Sequence, residues 1–259
     1  MDKNEINGFK NEEMFAKHLN GKKVKELYPN YQEMIIELFG YVNFNSYLKC
    51  WVDHDRKKYD IIIKLDGKYR RLSIKKGINN SVHSESISSF IHFLIENHVP
   101  RDIIIKYLKY HYYDGSTNGK GTKRISSMEY KELYPDNVKA INDCFKNKEL
   151  LEKCIYRFIL QGTNSKVPID GLIYGVVDDF IFISKKKILK ILLKHADVNH
   201  NGVHFSDLFC QAKAKNLNNN PKYEKDRFCI QIKWFNVFDC ILENMYDNNI
   251  AKLKLLGSE

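Results

Sequence analysis

No run of about 18 uncharged apolar residues occurs in the 259-residue chain, so hydropathy gives no membrane-spanning helix. The opening MDKNEINGFKNEE is polar and lacks the apolar core of a secretion signal, and a soluble cytoplasmic protein is expected. Cysteines are few and scattered: Cys50, Cys144, Cys154, Cys210, Cys229 and Cys240 form no CxxC pair, which argues against a zinc knuckle or a disulfide framework and for reduced thiols. His200, His204, Cys210 and Cys229 could supply four zinc ligands, but their spacing fits no standard site. The sequence has no Gly-rich phosphate loop, HExxH, nucleophile elbow or internal repeat, so nothing points to the enzyme classes those motifs mark.

Positive charge is abundant. Lys and Arg number 42 against 32 Asp and Glu, a formal net charge of +10. A polyanionic partner suits that balance, because neutralising phosphates releases counterions and strengthens binding. Two other sources of the excess stay open: Lys57-Lys58 and Lys185-Lys187 also read as solvated faces, and the wealth of Lys, Asn, Ile and Tyr also fits an AT-rich coding sequence. Hydrophobic residues make up 43%, enough for a globular core in one large or two small domains.

The most informative stretch is Tyr59 to Gly77, YDIIIKLDGKYRRLSIKKG. Two β-favouring runs, Asp60-Leu65 and Lys68-Lys75, flank Asp66-Gly67, the dipeptide preferred in two-residue hairpin turns because both positions need positive φ. The turn fixes the register: Leu65 opposes Lys68, Ile63 opposes Arg70, Ile61 opposes Leu72 and Asp60 opposes Ser73. Ile61, Ile63, Leu65, Leu72 and Ile74 then share the buried face, while Asp60, Ser73 and Lys75 share the other. Opposed Cβ atoms lie roughly 5 Å apart, so the three polar residues form a compact cluster. An ordinary amphipathic hairpin with a wet polar face is the plain alternative.

With Asp60 on the first strand and Ser73-Ile74-Lys75 on the second, residues 9 to 97 resemble the PD-(D/E)xK nuclease superfamily, in the Ser-x-Lys form found among type II restriction endonucleases. The resemblance implies a restriction-endonuclease-like core, a central mixed sheet flanked by helices. It implies a Mg²⁺-dependent endonuclease acting on double-stranded DNA, with Asp60, Ser73, Lys75 and Glu12 as catalytic residues. Asp60, Glu12 and the Ile74 carbonyl would hold the metal. A homodimer is compatible with this reading. In the family a glutamate of the first core helix often joins the metal site, which makes Glu12 the candidate; Glu85 is the reserve, although the family usually recovers its lost carboxylate later in the following helix.

Residues 8 to 20 read as a helix stopped by Gly21, with Phe9, Phe15, Ala16 and Leu19 on one face and Glu12 among them. A carboxylate on an apolar face is costly unless paired or bound to metal. A second helix is expected over Tyr31-Phe39, a strand over Phe44-Val52, a turn at Asp53-His54-Asp55, and a helix from Val82 to Asn97 bearing His83 and Glu85. A helix over 101 to 110 precedes the Gly/Ser/Lys loop 114 to 124, whose Lys120, Lys123 and Arg124 could form a basic flap over a phosphate backbone. Helical segments follow from Met128 to Leu160. Strands at Leu172-Val177 and Phe180-Ser184, a helix at Lys186-Lys194 and a strand at Arg227-Phe235 complete an α+β half. There Lys213, Lys215, Arg227, Gln231 and Lys233, with His83 from the earlier helix, are the candidate nucleic-acid contacts. The expected division is a catalytic core over 1-112, a connector over 113-165 and a target-reading part over 166-259, in a mixed α/β (α+β) fold. A non-catalytic nucleic-acid-binding protein, or a nuclease acting on RNA or branched DNA, is the alternative function.

Overall fold

The structure, a computed structural model, describes residues 8–55, 57–77, 81–113, 125–213 and 220–243. In chain order its elements are α1 (Gly8–Leu19), α2 (Pro29–Phe39), β1 (Lys49–Val52), β2 (Ile61–Leu65), β3 (Lys68–Lys75) and β4 (Ser81–Ser86). Helices α3 (Ile87–Glu96), α4 (Arg101–His111), α5 (Ser127–Leu133), α6 (Pro135–Phe145) and α7 (Lys148–Ile155) follow. The chain then forms β5 (Gly171–Val176), β6 (Asp179–Ser184), α8 (Lys185–Lys194), β7 (His204–Phe205), β8 (Leu208–Ala212) and β9 (Cys229–Trp234). The fold is mixed α and β with two sheets, the class expected from the sequence. Among the described residues no helix is long and apolar enough to cross a membrane.

Two compact units emerge, residues 1–79 with 159–189 and residues 80–158 with 190–259. The chain changes unit near residues 79, 158 and 189.

The first unit is built on a five-stranded sheet of order β1-β2-β3-β5-β6, antiparallel except where β3 and β5 run parallel. Its central hairpin follows from the Asp66-Gly67 pair, whose φ values of 46° and 79° give the twist that two antiparallel strands need. The register is the one the turn dictates: Ile61 opposes Leu72, Ile63 opposes Arg70 and Leu65 opposes Lys68. Ile61, Ile63, Leu65, Leu72 and Ile74 are buried among Phe15, Leu19, Tyr31, Met34 and Ile35 of the first two helices. Asp170 ties β3 to the start of β5, accepting from the Arg71 amide at 2.8 Å while its own amide donates to the Arg71 carbonyl at 2.7 Å.

Helix α1 buries Phe15, Ala16 and Leu19 as expected, but Phe9 is 51% exposed and Asn11 takes its place on the inner face. The polar side chain is tolerated there because its Nδ2 donates to the Gly175 carbonyl at 3.0 Å. Gly175 has φ 133°, and a Cβ at this position would come within 2.3 Å of the Asp179 carbonyl oxygen. Only glycine permits so close a turn from β5 into β6.

The second unit carries an antiparallel sheet of order β4-β9-β8-β7. An aromatic cluster fills its core: Phe145 stacks on Phe205 with ring centres 3.8 Å apart, and Phe90 meets Tyr107 edge-on at 5.1 Å. One element differs from expectation. Residues 82–86, predicted as the first turn and a half of a helix, belong to β4 (Ser81–Ser86), and the helix begins only at Ile87. Ser86 is its N-cap, with Oγ accepting from the Ser89 amide at 3.1 Å. The strand was hidden because its most buried residue is Glu85, where a period-two pattern would put an aliphatic side chain.

Candidate functional site

In the first unit Asp60 lies one residue before β2, and its amide donates to the Leu72 carbonyl at 2.8 Å, which carries the hairpin register one step further. Its side chain therefore faces Ser73. The Ser73 hydroxyl donates to Asp60 Oδ2 at 3.0 Å, and the Ile74 amide donates to the same oxygen at 2.5 Å. Two donors on one oxygen fix the carboxylate in place and leave Oδ1 as the oxygen the carboxylate can offer elsewhere. Ser73 is 1% exposed, so its hydroxyl orients Asp60 from below rather than facing a ligand.

Glu12 joins this group from α1. It is half-buried, and burial together with the Asp60 carboxylate pushes its carboxyl up to about 7, while the Lys75 ammonium pulls it down. Glu12, Asp60 and Lys75 therefore lie within electrostatic reach of one another, as the hairpin geometry and the phase of α1 predict. Glu13 is exposed.

Lys58 is a member that sequence reasoning missed, having read it as part of a solvated face. It is half-buried beside the same residues; burial and the Lys75 ammonium push its amine down to about 7, with Asp60 opposing. A Cβ at Gly162, where φ is 71°, would lie 3.5 Å from Lys58 Cδ. The lysine stem thus packs beside a glycine 104 residues away in sequence, and no local pattern signals that. The arrangement sets two carboxylates and two amines together, with burial first and like charges second raising one carboxyl and lowering one amine.

Asp53 and Asp55 stay in a turn, as expected. Both face Lys57, whose Nζ lies 2.7 Å from Asp55 Oδ2 and 3.8 Å from Asp53 Oδ1.

Glu85, the reserve carboxylate, belongs to the second unit and is committed there. Arg157 grips it with two bonds, Nε to Oε1 at 2.9 Å and Nη2 to Oε2 at 2.6 Å, and Ser89 Oγ donates to Oε2 at 2.8 Å. These bonds, with His83, outweigh burial and hold its carboxyl down to about 2. His83 is on β4 rather than on a helix, its Nε2 3.4 Å from Glu85 Oε1 and its ring 5.5 Å from that of Phe158. It is a partner of Glu85 in this arrangement.

The expected nucleic-acid contacts divide into three groups. Gln231 and Lys233 lie on β9 and are half-exposed; Gln231 Nε2 donates to Ser81 Oγ at 3.1 Å and its Oε1 accepts from Gln211 at 3.0 Å. Lys213 pairs with Asp226 at 2.9 Å. Arg227, expected at the surface, is 1% exposed in the turn before β9, so its guanidinium does not face outward. Lys120, Lys123, Arg124 and Lys215 lie outside the described residues.

The four zinc ligands considered from the sequence are not gathered. His200 and His204 are neighbours, with ring centres 5.1 Å apart, but Cys210 bonds with the Tyr107 hydroxyl at 2.9 Å and Cys229 with the Lys225 carbonyl at 3.7 Å. A different set forms instead, with His195, Asp207 and Cys240 contributing atoms all within 4.8 Å of one another.

Compared with known proteins, the chain matches no family model and shows no significant similarity to a curated protein.

Proposed function

We propose that the protein is a Mg²⁺-dependent DNA endonuclease of the restriction-endonuclease-like kind, with its site at Glu12, Asp60, Ser73 and Lys75. The observation that carries the proposal is the meeting of two carboxylates from separate segments, Glu12 of α1 and Asp60 just before β2, beside Lys75. Two half-buried carboxylates repel one another, and that repulsion adds to burial, the larger cause, in raising Glu12. A divalent cation relieves it, and an all-oxygen set of Glu12, Asp60 Oδ1 and the Ile74 carbonyl suits a hard ion such as Mg²⁺. The bound ion supplies Lewis-acid polarisation of the phosphate and of the attacking water.

The chain's own groups have separate tasks. Ser73 and the Ile74 amide hold Asp60 in one orientation. Lys75 positions the attacking water and offsets negative charge as it grows on the phosphate. Lys58, whose amine burial and the Lys75 ammonium push down to about 7, is the group proposed to take the proton that the water loses. The excess of basic residues supplies the attraction to the phosphate backbone.

Incubation with supercoiled plasmid tests the reading. Strand breaks that appear with Mg²⁺ and vanish with a chelator are expected, as discrete fragments if cleavage is site-specific. Salt-sensitive binding with intact DNA, or cleavage confined to RNA or branched substrates, would select the alternatives.

Glu12 gives a pH-dependent expectation. Its folded pKa of about 7 exceeds the ordinary 4.5, so the folded protein holds a proton that the unfolded chain has released between those values. Metal-free stability therefore falls as pH rises from about 4.5 through 7. Glu12→Gln should raise the stability of the metal-free protein at pH 8 by about 1 kcal/mol, after allowance for solvent screening. Mg²⁺ should raise the Tm of the wild type at pH 8, more than at pH 6, and leave Glu12→Gln nearly unmoved. Equal Mg²⁺ responses in the two proteins would remove Glu12 from the site.

A further inference from the structure

A second group of ligating side chains sits in the second unit. His195 follows α8, Asp207 occupies the two-residue turn between β7 and β8, and Cys240 comes from the helical residues 237–243 after β9. Asp207 is 1% exposed and makes four contacts. Its Oδ2 lies 2.5 Å from His195 Nδ1 and 3.4 Å from Cys240 Sγ; its Oδ1 lies 3.0 Å from His200 Nε2 and 3.4 Å from Asn236 Nδ2. The turn that presents it is built at some strain, with Ser206 at φ 52°.

We propose that His195 Nδ1, Asp207 Oδ2 and Cys240 Sγ bind a zinc ion, distinct from the Mg²⁺ site proposed for the first unit. The division of labour on Asp207 supports it. One oxygen faces the imidazole and the sulfur, while the other is held by His200 and Asn236, the outer hydrogen bonding that orients a ligating carboxylate. A second observation points the same way: the Trp234 indole N–H is fully buried without a well-formed hydrogen bond among the described residues, and it lies next to the Cys240 sulfur. The donor set is imidazole, carboxylate and thiolate, which suits Zn²⁺ and excludes Mg²⁺ or Ca²⁺ as the natural occupant. Three protein ligands leave one tetrahedral position for water.

Binding exchanges a proton for the metal. The Cys240 thiol, which donates toward Asp207 in the absence of metal, loses its proton to solvent as the sulfur–zinc bond forms; no electron changes hands. Zinc affinity therefore increases with pH. The ion would tie three distant points of the chain together: the end of α8, the β7–β8 turn and the segment after β9.

The test uses the full-length protein. Elemental analysis after gel filtration should find about one zinc per chain, and replacement by Co²⁺ should give a thiolate-to-cobalt charge-transfer band. Cys240→Ser should lose that band, and His200→Ala should weaken zinc binding by about 10- to 100-fold while keeping it. Asp60→Ala should retain full zinc, which separates this site from the proposed nuclease site. Should Cys240→Ser fail to fold, the wild-type metal content and cobalt spectrum still decide. A wild-type protein that retains no zinc and shows no cobalt–thiolate band would overturn the proposal, as would a Cys240→Ser variant with an unchanged cobalt spectrum.

Discussion

Asp60→Ala and Lys75→Ala are each expected to reduce Mg²⁺-dependent DNA cleavage by about 10²- to 10³-fold, the range for loss of one preorganised electrostatic contact in an active site. Asp60 is the best-anchored group of the site. Its Oδ2 takes the Ser73 hydroxyl and the Ile74 amide, so the carboxylate points one way before any ligand arrives. Glu12 is raised first by burial and then by the Asp60 charge, so its carboxyl should ionise at lower pH once that charge is gone. The shift is a second readout, independent of cleavage, and carbon-13 NMR of the Glu12 carboxyl would follow it. Lys75→Ala has the opposite consequence: with the ammonium gone, the Glu12 carboxyl should rise further and the Lys58 amine should regain basicity. Neither variant should weaken DNA binding much, since each changes one charge in a chain with a net charge of +10. Cleavage by either variant at near wild-type rate would mean the chemistry lies elsewhere.

The hairpin was legible in the sequence because everything that defines it is local. Asp66-Gly67 sets the turn, the turn sets the register, and the register decides that Asp60 meets Ser73. The half-buried position of Glu12 on α1 was legible from helical phase, and the exposure of Phe9 was not, because the inner position of α1 went to Asn11 through a bond to Gly175, 164 residues away. Lys58 failed for the same reason: what surrounds it includes a glycine from a remote segment. The parallel pairing of β3 with β5 joins residues about 100 positions apart, with the second unit's helices threaded between them. No local pattern carries that information. The misread start of the helix at 82 has a sharper cause. Glu85 occupies a buried strand position, and its partner Arg157 is 72 residues on, so the sequence alone presents a charge where burial is the fact.

That pair gives the second large effect. Glu85→Ala should destabilise the protein by about 3–5 kcal/mol, because removing one member of a buried ion pair leaves the other without compensation. Arg157 would lose both its bonds to the carboxylate, and His83 would lose its partner at 3.4 Å. Urea unfolding at pH 7 measures the loss; in thermal melts it corresponds to roughly 10 °C. Replacing both residues by apolar ones, Glu85→Leu with Arg157→Met, should recover much of it, since a packed apolar pair avoids the desolvation of two charges. The pH dependence is opposite to that of Glu12. The folded pKa of Glu85 is about 2 against an ordinary 4.5, so its contribution is fully present above about pH 4.5 and disappears as pH falls through 2. A wild-type protein should therefore lose stability toward acid more steeply than Glu85→Ala does. The two glutamates are thereby told apart: Glu85→Gln should cost stability and leave the Mg²⁺-induced rise in Tm intact, whereas Glu12→Gln should gain stability at pH 8 and lose that rise. A Mg²⁺ response kept by Glu12→Gln and abolished by the Glu85 substitution, in a variant that remains folded, would remove Glu12 as the second carboxylate of the site.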